Sequence, residues 1–564
     1  MKFSEFKYER IDFEKLEKTM TDLLNQLQKQ TEADDFIETF KEIEKIKSHV
    51  STMITLATVR HTIDTRDKFY EKENDFWDET SPKLQIFESR IAEICLAFEG
   101  REKLYHYLPE VYFKKAEFAL KSFDEKIIPL MIEENKLTSE YGKLKASAQI
   151  EFDGKIYNLS SISPFAQSDD RQTRKRAYDA RMKFYQDNEQ QFDRIFDNLV
   201  KVRNQMAKEL GYETFTELGY LRTNRFDYDR KMVDNYRKQI LTDLVPLNNE
   251  LYNRQTKRLG LNKLAYYDFI YEFSSGNPTP KKDADGLVDA AVKMYHQMHK
   301  KTGEFIDIMK EKELWDLLSK DGKKMGGYCT SFSDYKVPFI FANFNGTSSD
   351  VDVFTHEAGH AFQYYMSRNI PVEACQWPTM ESAEIHSMSM EFFAYPWMKD
   401  FFDEETEKYY YSHLAGTLTF LPYGVLVDHF QHEIYDNPEM TPEERKMTWK
   451  KLEMMYRPER DYTGCDILDK GAFWFQQGHI FQSPFYYIDY TLAQICALQF
   501  WVRTQQKDET AFNDYLHLCS LGGTLSFTEL VKEAGLTIPF ENGCVSSVVT
   551  QARDFLNKID DTRL

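Results

Sequence analysis

Cysteine is scarce and unpaired along these 564 residues. The seven present, Cys95, Cys329, Cys375, Cys465, Cys496, Cys519 and Cys544, are odd in number and never fall in a C-x-x-C spacing. This argues against a disulfide framework and against the cysteine-rich cage of a structural zinc, and it reads as free thiols in a reducing compartment. Long apolar runs are missing too: nothing reaches the ~18 to 20 uncharged residues of a bilayer span. The first ten residues, Met1 to Arg10, mix charges through the window where an export signal needs an unbroken apolar stretch. Positive charge is in deficit, 72 Lys and Arg against 92 Asp and Glu for a net charge of -20. Phosphate backbones and anionic lipid surfaces repel such a chain, so neither nucleic acid nor membrane is expected as a partner, and the expected location is the cytoplasm. Internal repeats and low-complexity tracts are absent.

What is present is the balance of a globular protein, 42% apolar and 29% charged residues. Phe13, Leu16, Met20, Leu23, Leu24 and Leu27 recur at spacings of three and four, the stripe of an amphipathic helix. Asp34 and Asp35 read as caps before a second stripe from Phe36 to Ile46, and similar patterns run through Leu84 to Phe98 and Phe113 to Leu137. Alternation around Asp153-Gly154, from Ile150 to Leu159, predicts a short hairpin. It is expected to close an N-terminal helical lobe over residues 1–165, with a catalytic region over 166–564. Helices resume near Gln172, and Ser274 to Pro280 reads as a loop. Val337 to Phe344 predicts a strand before the turn signal Asn345-Gly346; its Pro338 suits a sheet edge, where an extended peptide could add as a further strand.

His356-Glu357-Ala358-Gly359-His360 carries the H-E-x-x-H pattern. On a helix, residues four apart share a face, so both imidazoles can reach one ion, and a catalytic zinc keeps one of its four positions for water. Glu357 beside them is placed to take that water's proton. A third protein ligand is needed, and the next stretch offers Glu381, Glu384 and Glu391, with Asp352 a further carboxylate nearby. Glu384 and Glu391, seven apart, share a helix face; one carboxylate can ligate while another takes the N–H of a ligating histidine. Periodicity does not order them.

These residues carry a resemblance. His356-Glu357-Ala358-Gly359-His360-Ala361, followed by Glu384, Ser387 and Glu391 as E-x-x-S-x-x-x-E, resembles the zinc site of the thimet oligopeptidase and oligoendopeptidase F family. Arg203 to Tyr212 is similar to the family's R-x-x-x-A-x-x-L-G-Y helix, and the likeness spans about residues 150 to 550. The resemblance implies one zinc per chain held by His356, His360 and Glu384, with Glu357 as general base. It also implies a mainly α fold, a multi-helix body of two lobes flanking a deep substrate groove, with a small β-sheet near the zinc helix. The implied substrates are short unfolded oligopeptides.

Amide hydrolysis also needs donors aimed at the developing oxyanion. His479, Tyr486, Tyr487 and Tyr490 cluster downstream, with Tyr486 and Tyr490 on one helical face. The segment resembles the family's His-and-Tyr stretch, which assigns His479, Tyr486 and Tyr490 to substrate or intermediate; Tyr487 remains a rival to Tyr486, and Tyr490 is preferred. His429 and His432 are read as ordinary histidines for want of a third-ligand motif, and His386 is expected to point away from the metal. Gly326-Gly327-Tyr328 is either backbone exposed near substrate or a plain loop. The expected function is a zinc endopeptidase. Two rivals stand beside it. A zinc carboxypeptidase or dipeptidyl carboxypeptidase would need a cation near the groove for the free C-terminus, and the sequence singles out none. A non-catalytic helical peptide-binding module is opposed by the intact Glu357.

Overall fold

Asp12 starts the first long helix by accepting the backbone N–H of Lys15, and the buried faces of Leu16, Met20, Leu24 and Leu27 then follow the predicted stripe over Phe13–Leu27. The computed structural model describes residues 1–320 and 322–564. In Ala33–Ile63 the cap position is Glu32, so Asp34 and Asp35 lie inside the first turn, where they meet the positive end of the helix dipole. The stripe read across Phe113 to Leu137 belongs to two helices, Glu110–Ser122 and Ile128–Ala146 (α1). Pro129, which lacks an N–H, suits only a first turn and forces the break.

The predicted hairpin forms from β1 (Ile150–Phe152) and β2 (Lys155–Tyr157), with Asp153 and Gly154 both at positive φ, 48° and 76°. Asp170 then caps α2 (Arg171–Asp187). A three-stranded sheet precedes the motif, in the order β3 (Trp315–Leu318), β5 (Val337–Phe344), β4 (Tyr328–Phe332). The strand expected at an edge, Val337 to Phe344, is therefore central. Pro338 is tolerated because the parallel partner β3 joins only from Ile340 onward, so beside Pro338 there is just one strand, β4. The edge nearest the motif helix is β4.

Asp350 accepts the N–H groups of Asn345 and Gly346 at 2.9 and 2.7 Å, which turns the chain from β5 directly into α3 (Ser349–Ser367), the motif helix. Against it lies α4 (Met380–Phe393), buried at every position from Glu381 to Met390. Around this pair pack α5 (Thr406–Asp436) and α6 (Tyr487–Gln505). A cavity of about 1020 Å³ runs alongside, walled by residues between Gln167 and Gln494. The N-terminal helices brace these walls: Thr62 bonds the Tyr328 hydroxyl at 2.6 Å, and Tyr141 donates to the Phe475 carbonyl at 2.9 Å.

Gly359 governs how closely α3 and α4 approach. A Cβ at this position would lie 2.6 Å from both the carbonyl oxygen of His386 and the Cα of Ser387, inside contact distance of backbone that cannot swing aside. Gly359→Ala is expected to push the helices apart, costing about 1–3 kcal/mol as an overpacked core does and weakening metal retention. Chemical denaturation with metal analysis checks this; wild-type stability together with wild-type metal content would contradict it.

Candidate metal centre

One turn apart on α3, His356 and His360 face α4, which presents Glu384. Glu384 Oε2 lies 3.2 Å from His356 Nε2 and 3.3 Å from His360 Nε2, and the ligand atoms of the three residues all fall within 4.8 Å of one another. Two imidazole nitrogens and one carboxylate oxygen converging from two rigid helices are the donor set that zinc takes in hydrolytic sites, so these residues fit a divalent metal. Ser387 donates to Glu384 Oε2 at 3.0 Å and Tyr486 to Oε1 at 2.5 Å, which fixes the carboxylate plane. Burial alone would raise the pKa of Glu384, but the facing imidazoles of His360 and His356 hold it well below the usual carboxylate range.

Behind His356 the three competing carboxylates separate. Glu391 Oε1 lies 2.7 Å from His356 Nδ1, which leaves Nε2 as the nitrogen turned to the metal position. The other oxygen of Glu391 meets His413 Nε2 at 2.8 Å, and His413 Nδ1 meets the Tyr395 hydroxyl at 2.7 Å. Asp352 instead accepts from Tyr409 at 2.7 Å. Glu381 turns into the core toward Asp489 and Arg225, and those two form a wholly buried ion pair at 3.1 Å. Sequence reading missed His413 and Tyr395, because they reach the site from other segments and share no helical spacing with the motif.

Glu357 is buried, and its Oε2 has no hydrogen-bond partner among the described residues. Burial pushes its pKa up, opposed by His356 and His360. The glycine run before β4 passes close by: a Cβ on Gly327 would sit 3.2 Å from Glu357 Oε1. Gly327 is therefore backbone laid against this carboxylate, while the Cβ position of Gly326 faces open space.

The His-and-Tyr segment is a short helix, Gly478–Gln482, followed by α6, with Tyr486 at the N-cap rather than inside the helix. His479 receives Gln477 at Nδ1, 2.8 Å away, and meets the Tyr490 hydroxyl at Nε2, 3.2 Å away. The Tyr486 and Tyr490 rings are 4.8 Å apart, and burial pushes the His479 pKa down to about 4. Tyr487 packs against the His479 and Tyr490 rings, at 4.9 and 5.4 Å between centroids, and against Phe420 and Tyr423 on the cavity wall. Arg203, on the helix Glu189–Glu209, holds this region in place. Its buried guanidinium bonds Glu134 of α1 at 2.6 Å, the Tyr435 hydroxyl at 2.8 Å and the carbonyl of Phe481 at 2.5 Å.

The remaining histidines have other partners. His432 bonds Tyr220 at 2.9 Å and lies 3.3 Å from Asp428, within a buried ion network, while His429 meets Tyr456. His386 is fully buried near the Tyr515 ring and is not one of the converging residues. A second acidic group, Glu189, Asp193 and Glu443, surrounds the Lys446 ammonium as ion pairs.

Since Glu391 orients a candidate ligand and His413 orients Glu391, Glu391→Gln is expected to weaken zinc binding by roughly 10- to 100-fold, and His413→Gln by less. Titration against a chromogenic chelator reads this directly; affinity equal to wild type in Glu391→Gln would contradict it.

Known proteins resemble this chain in sequence and in fold. The model of the Peptidase M3 N-terminal domain matches residues 3–123, and that of Peptidase family M3 matches residues 165–549. Oligopeptidase PepF of Bacillus subtilis (strain 168) is 22% identical over 552 residues, covering 91% of this chain and 79% of that protein. A structure of PZ peptidase A with an inhibitor superposes with a TM-score of 0.98 at 49% identity, over the whole of both chains. Oligoendopeptidase-F of Enterococcus faecium, 16% identical with a TM-score of 0.63 over 98% of this chain and 99% of its own, shares the fold. The family model spans well over half of the sequence and includes every residue that converges on the candidate site, and the chain therefore belongs to peptidase family M3.

Proposed function

We propose that this chain is a zinc-dependent endopeptidase that hydrolyses internal bonds of short, unfolded oligopeptides, with one zinc held by His356, His360 and Glu384. The observation that carries this reading is the unpartnered buried oxygen of Glu357 beside three converging ligand atoms. Zinc bound there supplies a Lewis acid that acidifies water and polarises the scissile carbonyl.

The protein's own groups account for the rest. Glu357, kept dry and raised in pKa, takes a proton from the attacking water on Oε2 and passes it to the leaving amine. Tyr490, with His479 on its hydroxyl, donates to the developing oxyanion, and Tyr486 either shares that task or steadies Glu384. Glu391 keeps His356 in the tautomer that ligates. Substrate enters the cavity beside α3, α4 and α6, whose volume of about 1020 Å³ suits an extended peptide rather than a folded protein. Among the described residues the outer edge of β4 carries no further strand, and it lies beside the motif helix, which supports binding of the peptide as an added strand. Seven unpaired cysteines are in keeping with a reducing compartment, the cytoplasm, and among the described residues no helix is long and apolar enough to cross a membrane.

Glu357→Gln tests the reading: it is expected to keep zinc and fold while cleavage of an internally quenched peptide falls by about 10²- to 10⁴-fold. Chelation of the wild type should abolish cleavage and added zinc should restore it. Near-normal turnover in the zinc-loaded variant would sink the mechanism.

A further inference from the structure

The cavity beside the candidate metal centre has a charged end that the chemistry above does not use. Its acidic lining groups belong to the metal end: Asp352 on α3 and Glu391 on α4, with Glu272 within the electrostatic reach of Asp352. Three arginines line it as well, Arg181, Arg457 and Arg460. Two of them are neutralised locally. Arg457 pairs with Glu453 at 3.1 Å, and Arg460 pairs with Glu459 at 3.2 Å while lying over the Phe269 ring at 3.7 Å.

Arg181 differs. It projects from α2 into the same cavity, contacts the Tyr185 hydroxyl, and meets no carboxylate within ion-pair distance among the described residues; its Nε is buried without a partner. Next to it stands a second cation without a counterion, Lys145 at the end of α1. The Lys145 ammonium donates to the Gln476 carbonyl at 3.1 Å and lies over the Tyr141 ring at 5.3 Å, again with no carboxylate among the described residues. Burial and the charge of Arg181 together push the Lys145 pKa down to about 8. Two like charges are thus held together in a half-buried place, a costly arrangement that a bound anion relieves.

The position of the pair relative to the reacting groups follows from the contacts. Gln476, which Lys145 holds, adjoins Gln477, which bonds His479, which bonds Tyr490. The pair therefore closes the cavity on the His479 side of the metal centre. A guanidinium offers two parallel N–H groups that match a carboxylate, and the neighbouring ammonium adds a point charge. Tyr178 and Tyr266 line the same cavity.

We infer that Arg181, assisted by Lys145, is a carboxylate-receiving site that anchors one end of the peptide substrate. The inference rests on the peptidase reading and deepens it; it also supplies the groove cation that a carboxypeptidase would require, so the distance of the cut from the C-terminus, read from the cleavage products, separates an endopeptidase from that rival. A peptide offers that chemistry from two sources, its C-terminal carboxylate or an Asp or Glu side chain. Anchoring of the terminus would measure substrate length from the metal and favour short peptides over long chains, so the terminal source is the one expected.

The test compares three internally quenched peptides of one sequence: a neutral peptide with a free C-terminus, its C-terminal amide, and that amide carrying a single Glu. In the wild type, amidation is expected to raise KM about tenfold or more with a smaller change in kcat. In Arg181→Gln the KM ratio of amide to acid should collapse toward 1, and in Arg181→Lys part of it should return. Lys145→Gln, on a different helix, should reduce the ratio less and guards against misfolding of the Arg181 variant; zinc content and thermal melting monitor folding. Should only the Glu-bearing amide show an Arg181-dependent gain, the carboxylate site stands with a side chain as its source. Equal KM for all three peptides in an active wild type would overturn the inference and leave the peptidase reading intact, whereas failure to cleave any of them would overturn both.

Discussion

A missing side chain sets the distance on which the site depends. Gly359 lets α3 lie against the backbone of His386 and Ser387 on α4, and that approach brings Glu384 within about a hydrogen bond's length of both motif histidines. Helices normally pack 8–10 Å apart according to the side chains between them. With any larger residue at the fourth position of the motif, Glu384 would recede from the imidazoles, and the ligand set would open. The same contact seats Ser387 where its hydroxyl can hold Glu384. One glycine thus couples helix packing to ligand geometry.

Around that contact the protein places its charges in layers. Nearest are the candidate ligand carboxylate of Glu384 and the unpartnered Glu357; behind His356 come Glu391, His413 and Tyr395 in an unbroken chain of contacts of 2.7 to 2.8 Å. Farther out, Arg225 with Asp489, and Arg203 with Glu134, are buried ion pairs that join separate parts of the chain. Such pairs add little net stability, yet removing one partner leaves an uncompensated charge, so they enforce a single arrangement. Arg203 illustrates the consequence: it fastens the turn carrying His479 to α1, so the N-terminal helices help position a residue of the cavity wall.

Much of this was legible from the residues in order. The helical stripes, the Asp153-Gly154 hairpin and the placement of His356 and His360 on one helix face are local patterns, governed by periodicities of two and 3.6 and by turn chemistry, whereas Glu384 was implied only by the family resemblance. Less legible was whatever depends on distant partners. Pro338 pointed to an edge strand, whereas the sheet places it in the central strand just short of where β3 begins to pair. Glu381, Glu384 and Glu391 were not ordered by periodicity, and only the third dimension buries Glu381 within electrostatic reach of Asp489 and Arg225 and sends Glu391 to His356. His413 and Arg181 carry no motif; each acquires meaning from neighbours more than twenty residues away in the chain.

The central claim is that two imidazoles from α3 and one carboxylate from α4 hold a single zinc. X-ray absorption at the zinc edge on the purified protein examines that ligand set without reference to turnover. The account predicts about one zinc per chain with a first shell of nitrogen and oxygen only, the multiple-scattering signature of two imidazoles, and its loss in Glu384→Ala. Sulfur in the first shell, or a full and unchanged zinc signal in the Glu384 variant, would contradict it.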